Sequence, residues 1–202
     1  LHLDLKPANI HLSDYGDVQV IDWGLARFFN AEGIVEEFVD TNSRLIQRMS
    51  ESFNHTVNGL IQGTPSYMAP EQALGHNELR NVQTDVYALG AILYSLLTYK
   101  KPISEEDYKT VLEKTINGEI VKPSRRTPMN DIPHALESIC LKAMKLKAKD
   151  RYATVDDLIT EIRAWRAGYA PKAQNADLWL QSKLFIKRNK LIVSLVLTSL
   201  LI

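Results

Sequence analysis

Asp4, Lys6 and Asn9 stand within six residues of one another in His2-Leu3-Asp4-Leu5-Lys6-Pro7-Ala8-Asn9, and Asp22 follows in Asp22-Trp23-Gly24. A carboxylate can accept a hydroxyl proton. An ammonium can hold an oxyanion as a point charge. An amide oxygen and a second carboxylate are hard-oxygen donors of the kind magnesium takes. The set suits chemistry on a charged group that a metal helps to neutralise. Asp4 and Asn9 also suit a plainer role, as turn formers between helix and strand.

Two short strands must position these residues. Ile10 to Leu12 and Val18 to Ile21 are apolar runs separated by the turn signal Asp14-Tyr15-Gly16-Asp17. Residues 10–21 therefore read as a hairpin. Asn9 and Asp22 would lie on the same side at its open end, as two ligands of one metal must.

The set continues in order with Gly63-Thr64-Pro65-Ser66-Tyr67-Met68-Ala69-Pro70-Glu71, then Asp85-Val86-Tyr87-Ala88-Leu89-Gly90, then Arg151. Asp-x-x-x-x-Asn alone is weak, but the ordered series is specific. It resembles the eukaryotic-type Ser/Thr protein kinases, in particular their membrane-anchored bacterial members, over residues 1–167. The resemblance implies an α+β, mainly α fold: the large C-terminal lobe with a small β-hairpin, the N-terminal lobe missing. It implies ATP and Mg2+ as cofactors and proteins as substrates. Asp4 would be the base, Lys6 the cation on the γ-phosphate, and Asn9 and Asp22 the metal ligands. Lys at position 6 is typical of the Ser/Thr enzymes. Thr64 would sit in the substrate-receiving loop and touch Asp4 and Lys6. Glu71 would pair with Arg151, although both also suit a solvated surface. Asp85 would tether the catalytic-loop backbone, and simple helix capping explains it as well.

Two positions depart from the family. Leu3 replaces the arginine that reads a phosphorylated activation segment, which puts that mode of activation in doubt. Trp23 replaces a phenylalanine and keeps an aromatic ring. No Gly-x-Gly-x-x-Gly occurs in the 202 residues. The chain is therefore expected to be a fragment that transfers no phosphate by itself. The competing reading is a kinase-like binding module without catalysis. Retention of Asp4, Lys6, Asn9 and Asp22 favours the enzyme.

Composition agrees with one sizeable domain. The net charge is +0, which leaves no electrostatic case for nucleic acid. The single cysteine, Cys140, rules out an internal disulfide and lies among Leu136, Ile139 and Ala143 at helical spacing, as a buried thiol would.

Residues 25–68 form a long connector, matching the family's activation segment. Its apolar groups, Ile34, Val35, Phe38 and Val39, then Leu45, Ile46 and Met49, predict a short helix or two. Thr41, Ser43, Ser50, Ser52 and Thr56 are candidate phosphorylation sites or plain polar loop residues. Beyond it, Asn81 to Thr98 reads as a helix apolar nearly all round, hence buried. Ser104 predicts the cap of a helix ending at Asn117-Gly118. Residues 119–132 read as loop. Pro133 opens a helix to about Leu146. Thr154 and Asp157 open a last one, stopped by Gly168 and Pro171.

The organisation expected is a kinase lobe over residues 1–168, a juxtamembrane linker over 169–186, and a basic anchor with a truncated transmembrane helix over 187–202. Lys187, Arg188 and Lys190 precede an uncharged run, Leu191 to Ile202. Twelve residues span about 18 Å of the roughly 30 Å hydrocarbon core. The alternative for so short a run is a helix packed on the lobe. The expected location is the cell membrane, single-pass, with the kinase lobe on the cytoplasmic face.

Overall fold

The computed structural model describes residues 1–29, 35–37, 64–105 and 107–191, together with 193, 194 and 198. Strands β1 (Ile10–Leu12) and β2 (Val18–Val20) pair antiparallel, with Ile10 opposite Val20 and Leu12 opposite Val18. This is the hairpin the turn signal predicts. Gly16 sits at φ 87, where a side chain would be strained, and closes the turn.

Strands β3 (Arg27–Phe29) and β4 (Val35–Glu37) form a second antiparallel pair. Val35 belongs to the apolar group expected to be helical, so there the expectation is corrected. Pairing with Arg27–Phe29 gives its backbone a ladder that a lone turn of helix would lack. Ile34, Phe38, Val39, Leu45, Ile46 and Met49, the other residues of the two apolar groups, and all five candidate phosphorylation sites lie outside the described residues.

Helix α1 (Pro70–Ala73) is short, and α2 (Val82–Thr98) is the axis of the lobe. The Asn81 side chain accepts from Gln83 N at 2.9 Å, while Asn81 N donates to Thr84 Oγ1 at 3.0 Å, so the first turn is reciprocally capped. Two hydrophobic clusters share α2. One joins Tyr87, Ala91 and Tyr94 to Leu5, Tyr67, Cys140 and Met144. The other joins Val86 to Leu136, Ile139, Tyr152 and Leu158. Gly90 lets a neighbour come close: a Cβ there would lie 2.7 Å from Ala143 Cβ and 2.8 Å from Met144 Cγ.

Helix α3 (Tyr108–Asn117) starts later than Ser104 suggests. Asp107 Oδ2 accepts from Thr110 N at 2.8 Å and makes the cap, whereas Ser104 Oγ donates to Lys101 O in the preceding loop. Within the stretch read as loop, Pro123 opens a single turn, α4 (Pro123–Arg126). Glu137 Oε1 accepts from Ser124 N there at 2.8 Å. Helix α5 (His134–Ala143) stops before Leu146, and α6 (Val155–Arg166) begins at the Thr154–Asp157 capping box.

The polar stretch after α6 is docked rather than loose. Pro171 is fully buried, and Ala173 N donates to Glu161 Oε2 at 2.9 Å. Part of the expected linker is a helix, α7 (Leu178–Arg188), capped by Asp177 through Leu180 N at 2.8 Å. Among the described residues no helix is long and apolar enough to cross a membrane.

Candidate active site

The His2–Asn9 loop is held from beneath by alternation. Leu3 and Leu5 are buried, which turns Asp4 and Lys6 the other way. Leu3 carries a left-handed backbone, φ 66, unusual for a leucine. Three bonds hold it there. Asp85 Oδ2 accepts from His2 N at 2.7 Å, Asp85 Oδ1 accepts from Leu3 N at 2.9 Å, and Gln72 Nε2 donates to Leu3 O at 2.8 Å. Of the two readings of Asp85, the tether is the one seen, since Asn81 supplies the cap.

Asp4, Lys6 and Thr64 close into one cluster. Lys6 Nζ donates to Asp4 Oδ2 at 2.7 Å and to Thr64 Oγ1 at 2.9 Å. Thr64 N and Oγ1 donate to Asp4 Oδ1 at 3.0 and 3.2 Å. Thr64 reaches this point because the turn Pro65–Tyr67 and helix α1 follow it directly, with Tyr67 and Met68 buried in the lobe. Asp4 thus keeps both oxygens in charge-assisted bonds, and its side chain is only 11% exposed.

Asn9 is buried and donates through Nδ2 to Asp4 O at 2.9 Å. A weaker contact reaches Asp4 Oδ2 at 3.3 Å. Its amide nitrogen is engaged with the loop. Asp22 is exposed at the open end of the hairpin, with φ 63. Ile21 N donates to Asn9 O at 3.0 Å, so the two candidate ligands are separated by one cross-strand bond. Asn9 and Asp22 offer the hard oxygens that magnesium prefers, and the donor chemistry fits that ion. Among the described residues no group of three His, Cys, Asp or Glu is arranged around a metal position. A magnesium ion keeps several waters and takes few carboxylates, so the small donor set is no obstacle.

Sequence reasoning missed the ring of His2. It is buried, its Nε2 faces Ile21 O at 3.2 Å, and its Nδ1 accepts from Asp4 N at 3.3 Å. One imidazole therefore bridges the Asp4 backbone to the residue before Asp22. Trp23 lies against that ring, centroids 4.8 Å apart, and anchors its own Nε1 on Val20 O at 3.0 Å. Gln72 was also missed. Nothing in its spacing marks it, because its partners, Leu3 O and Ala69 N, are backbone groups.

Glu71 and Arg151 meet in the interior. Arg151 donates two bonds of 2.8 Å to the two carboxylate oxygens. Thr84 Oγ1 adds a third to Glu71 at 2.9 Å, and Gln83 O, Lys145 O and Leu146 O take the remaining guanidinium hydrogens. Burial pushes the Glu71 carboxyl up, but the Arg151 hydrogen bonds and charge outweigh it and hold the carboxyl below its ordinary value.

Comparison with known proteins agrees with this geometry. The protein kinase domain family matches residues 1–162. The chain is 36% identical over 168 residues to the serine/threonine-protein kinase PknD of Protochlamydia amoebophila, covering 83% of this chain and 16% of that protein. It is 33% identical over 184 residues to PknD of Chlamydia trachomatis serovar D, covering 91% and 19%. It is 36% identical over 156 residues to the tyrosine-protein kinase MasK of Myxococcus xanthus, covering 77% and 20%. The chain thus spans a fifth or less of the length of these relatives. A match over most of the chain, on a fold that brings Asp4, Lys6 and Thr64 together, places this protein in the protein kinase domain family.

Proposed function

We propose that the gene product transfers the γ-phosphate of ATP to serine and threonine hydroxyls of proteins. One observation carries the reading: Asp4 and Lys6 are bonded to each other and to Thr64 of the loop leading into α1. Asp4 orients the attacking hydroxyl and accepts its proton. Lys6, 2.7 Å from Asp4, holds the transferred phosphoryl group beside the base. Asn9 and Asp22 would hold Mg2+, which neutralises phosphate charge when bound. His2 and Asp85 fix the loop on which these groups ride. Lysine at position 6, the residue typical of the Ser/Thr enzymes, supports Ser/Thr acceptors over tyrosine. Two of the relatives carry serine/threonine kinase names and one a tyrosine kinase name, so acceptor type is the first point to test.

Residues 1–202 contain one side of a nucleotide site, without a glycine-rich loop, and are expected to transfer no phosphate by themselves. The test therefore uses the full-length gene product with labelled ATP, Mg2+ and a protein acceptor. Label in phosphoserine and phosphothreonine, reduced about 10²–10⁴-fold in Asp4→Asn, is expected. Label in phosphotyrosine would overturn the acceptor assignment. Equal rates in the Asn variant would remove Asp4 from the role of base, and no transfer by either protein would favour a binding module.

We propose further that residues 187–202 belong to a membrane anchor, with the kinase lobe on the cytoplasmic face. The supporting features are Lys187, Arg188 and Lys190 directly before the uncharged run. Recovery of the protein in the membrane fraction, resistant to salt and released by detergent, is the expected result. Recovery in the supernatant without detergent would remove the anchor.

A further inference from the structure

Helix α7 departs from the rest of the lobe in charge and in exposure. The whole chain is balanced at +0, yet after Asp177 it carries no acidic residue, while Lys183, Lys187, Arg188 and Lys190 follow. Its large apolar side chains face outward: Leu178 is 81% exposed, Trp179 70% and Ile186 52%. Trp179 and Ile186 are seven residues apart and share one face of the helix. Lys183 lies one turn on from Trp179, with its Nζ 5.2 Å from the indole centroid. Lys187 follows one turn beyond Lys183, and Lys190 lies just past Asn189, which ends the helix. Lys183 and Lys187 thus run along one side of the apolar face. A groove of about 720 Å³ between α7 and the Tyr169–Lys172 turn leaves the Leu178 and Phe185 flank unfilled by the lobe.

Arg188 ties the end of the helix to the turn before it. The Arg188 guanidinium lies 3.8 Å from the Tyr169 ring centroid and donates to Gly168 O at 3.4 Å. Whatever covers the stripe would therefore also orient the lobe.

We infer that α7 lies flat on a bilayer surface rich in anionic headgroups, with Trp179 and Ile186 in the acyl boundary and Lys183, Lys187 and Lys190 on the lipid phosphates and carboxylates. The charge complement selects this occupant: an apolar face with Lys183 and Lys187 along one side, in a stretch with no acidic residue after Asp177, matches an anionic interface. A tryptophan at headgroup depth is the favoured interfacial residue. The inference draws on the membrane anchor proposed above only for bringing the lobe beside a bilayer. A spanning segment inserts regardless of lipid charge, whereas adsorption of α7 depends on lipid charge and salt.

The full chain is mixed with vesicles of phosphatidylcholine alone or with added phosphatidylserine, some carrying brominated acyl chains. Trp179 is isolated as the difference between the protein and Trp179→Phe. Its emission is expected to shift to the blue and to be quenched by brominated lipid in the anionic vesicles. Raised salt should reverse this. Lys183→Gln, Lys187→Gln and Lys190→Gln together should weaken the anionic-lipid-dependent part about a hundred-fold, at roughly a factor of five per charge. Protein that sediments with both vesicle types while Trp179 stays unquenched would keep the anchor and overturn the placement of α7. Protein that sediments with neither would overturn both. A dimer in solution, dissociated by Ile186→Lys, would give the stripe to a second copy and also overturn the inference.

Discussion

Arg151 meets Glu71 across eighty residues of sequence with two parallel bonds of 2.8 Å, the Arg151 side chain 0% exposed and Glu71 9%. The fork geometry ties the end of the loop that carries Thr64 to the turn before α6. Removing either partner leaves a buried charge alone. Arg151→Met or Glu71→Gln should each cost about 3–5 kcal/mol in urea unfolding, and the double variant should lose much less than the sum. Strictly additive losses would mean the pair carries no coupling.

The same pair sets an acid limit. Glu71 has its carboxyl held below the ordinary value of 4.5 by Arg151. A lowered native value contributes stability that is present above the unfolded value and lost as pH falls through the native one. Stability measured from pH 6 downward should therefore drop below about pH 4.5, and Glu71→Gln should flatten that part of the profile. An unchanged profile in the variant would assign the acid loss to other carboxylates.

Asp85 restrains the strained Leu3 peptide. Asp85→Asn replaces one accepting oxygen by an amide that faces a backbone N–H. The expected loss is about 1.5–3 kcal/mol, the range for a hydrogen bond to a charged group. Amide exchange at His2 and Leu3 should accelerate more than at Tyr87 or Ala91, deep in α2. Uniform acceleration would indicate global rather than local loosening.

Thr64 offers a test of positioning. Thr64→Ser keeps the hydroxyl that bonds Asp4 and Lys6, whereas Thr64→Val keeps the shape and removes it. In the full-length gene product Val is expected to lower kcat about tenfold, from roughly 1.4 kcal/mol of lost orientation, with Ser close to the parent. Equal rates for Ser and Val would leave the backbone Thr64 N–H as the useful contact.

Cys140 should be inert. It is fully buried, burial pushes its thiol well above the usual range, and Sγ donates to Gly90 O at 3.4 Å. Thiol reagents at neutral pH should label it only at the rate of unfolding. Rapid labelling of native protein would contradict the packing of α2 on α5.

Much of this site was legible in the chain because its geometry is short-range. Asn9 and Asp22 are brought to one end by a hairpin whose turn residues are visible, and the capping box at Thr154 is a local hydrogen-bonding problem with a local solution. The motif order marked Asp4, Lys6, Thr64, Glu71 and Arg151 as partners. Spacing alone left Glu71 and Arg151 as ordinary surface charges, since a pair eighty residues apart exists only once the lobe has closed. Asp85 was ambiguous for a related reason. A carboxylate in a first turn caps or tethers equally well, and only the arrival of the His2–Leu3 peptide decides between them.

Competition between neighbours decided the rest. Ser104 and Asp107 are both capping residues, and the fold of the preceding loop engaged Ser104 with Lys101 O, which left Asp107 to start α3. Val35 suited a helix by its neighbours and became a strand because β3 presented an edge to pair with. His2 and Gln72 bond to backbone groups that any residue could supply, so no side-chain pattern announces them. The sequence by itself determined which side chains could do the chemistry and where the local turns and caps lie. Only the tertiary structure decided which of those side chains meet, because a contact between distant residues depends on the packing of everything between them.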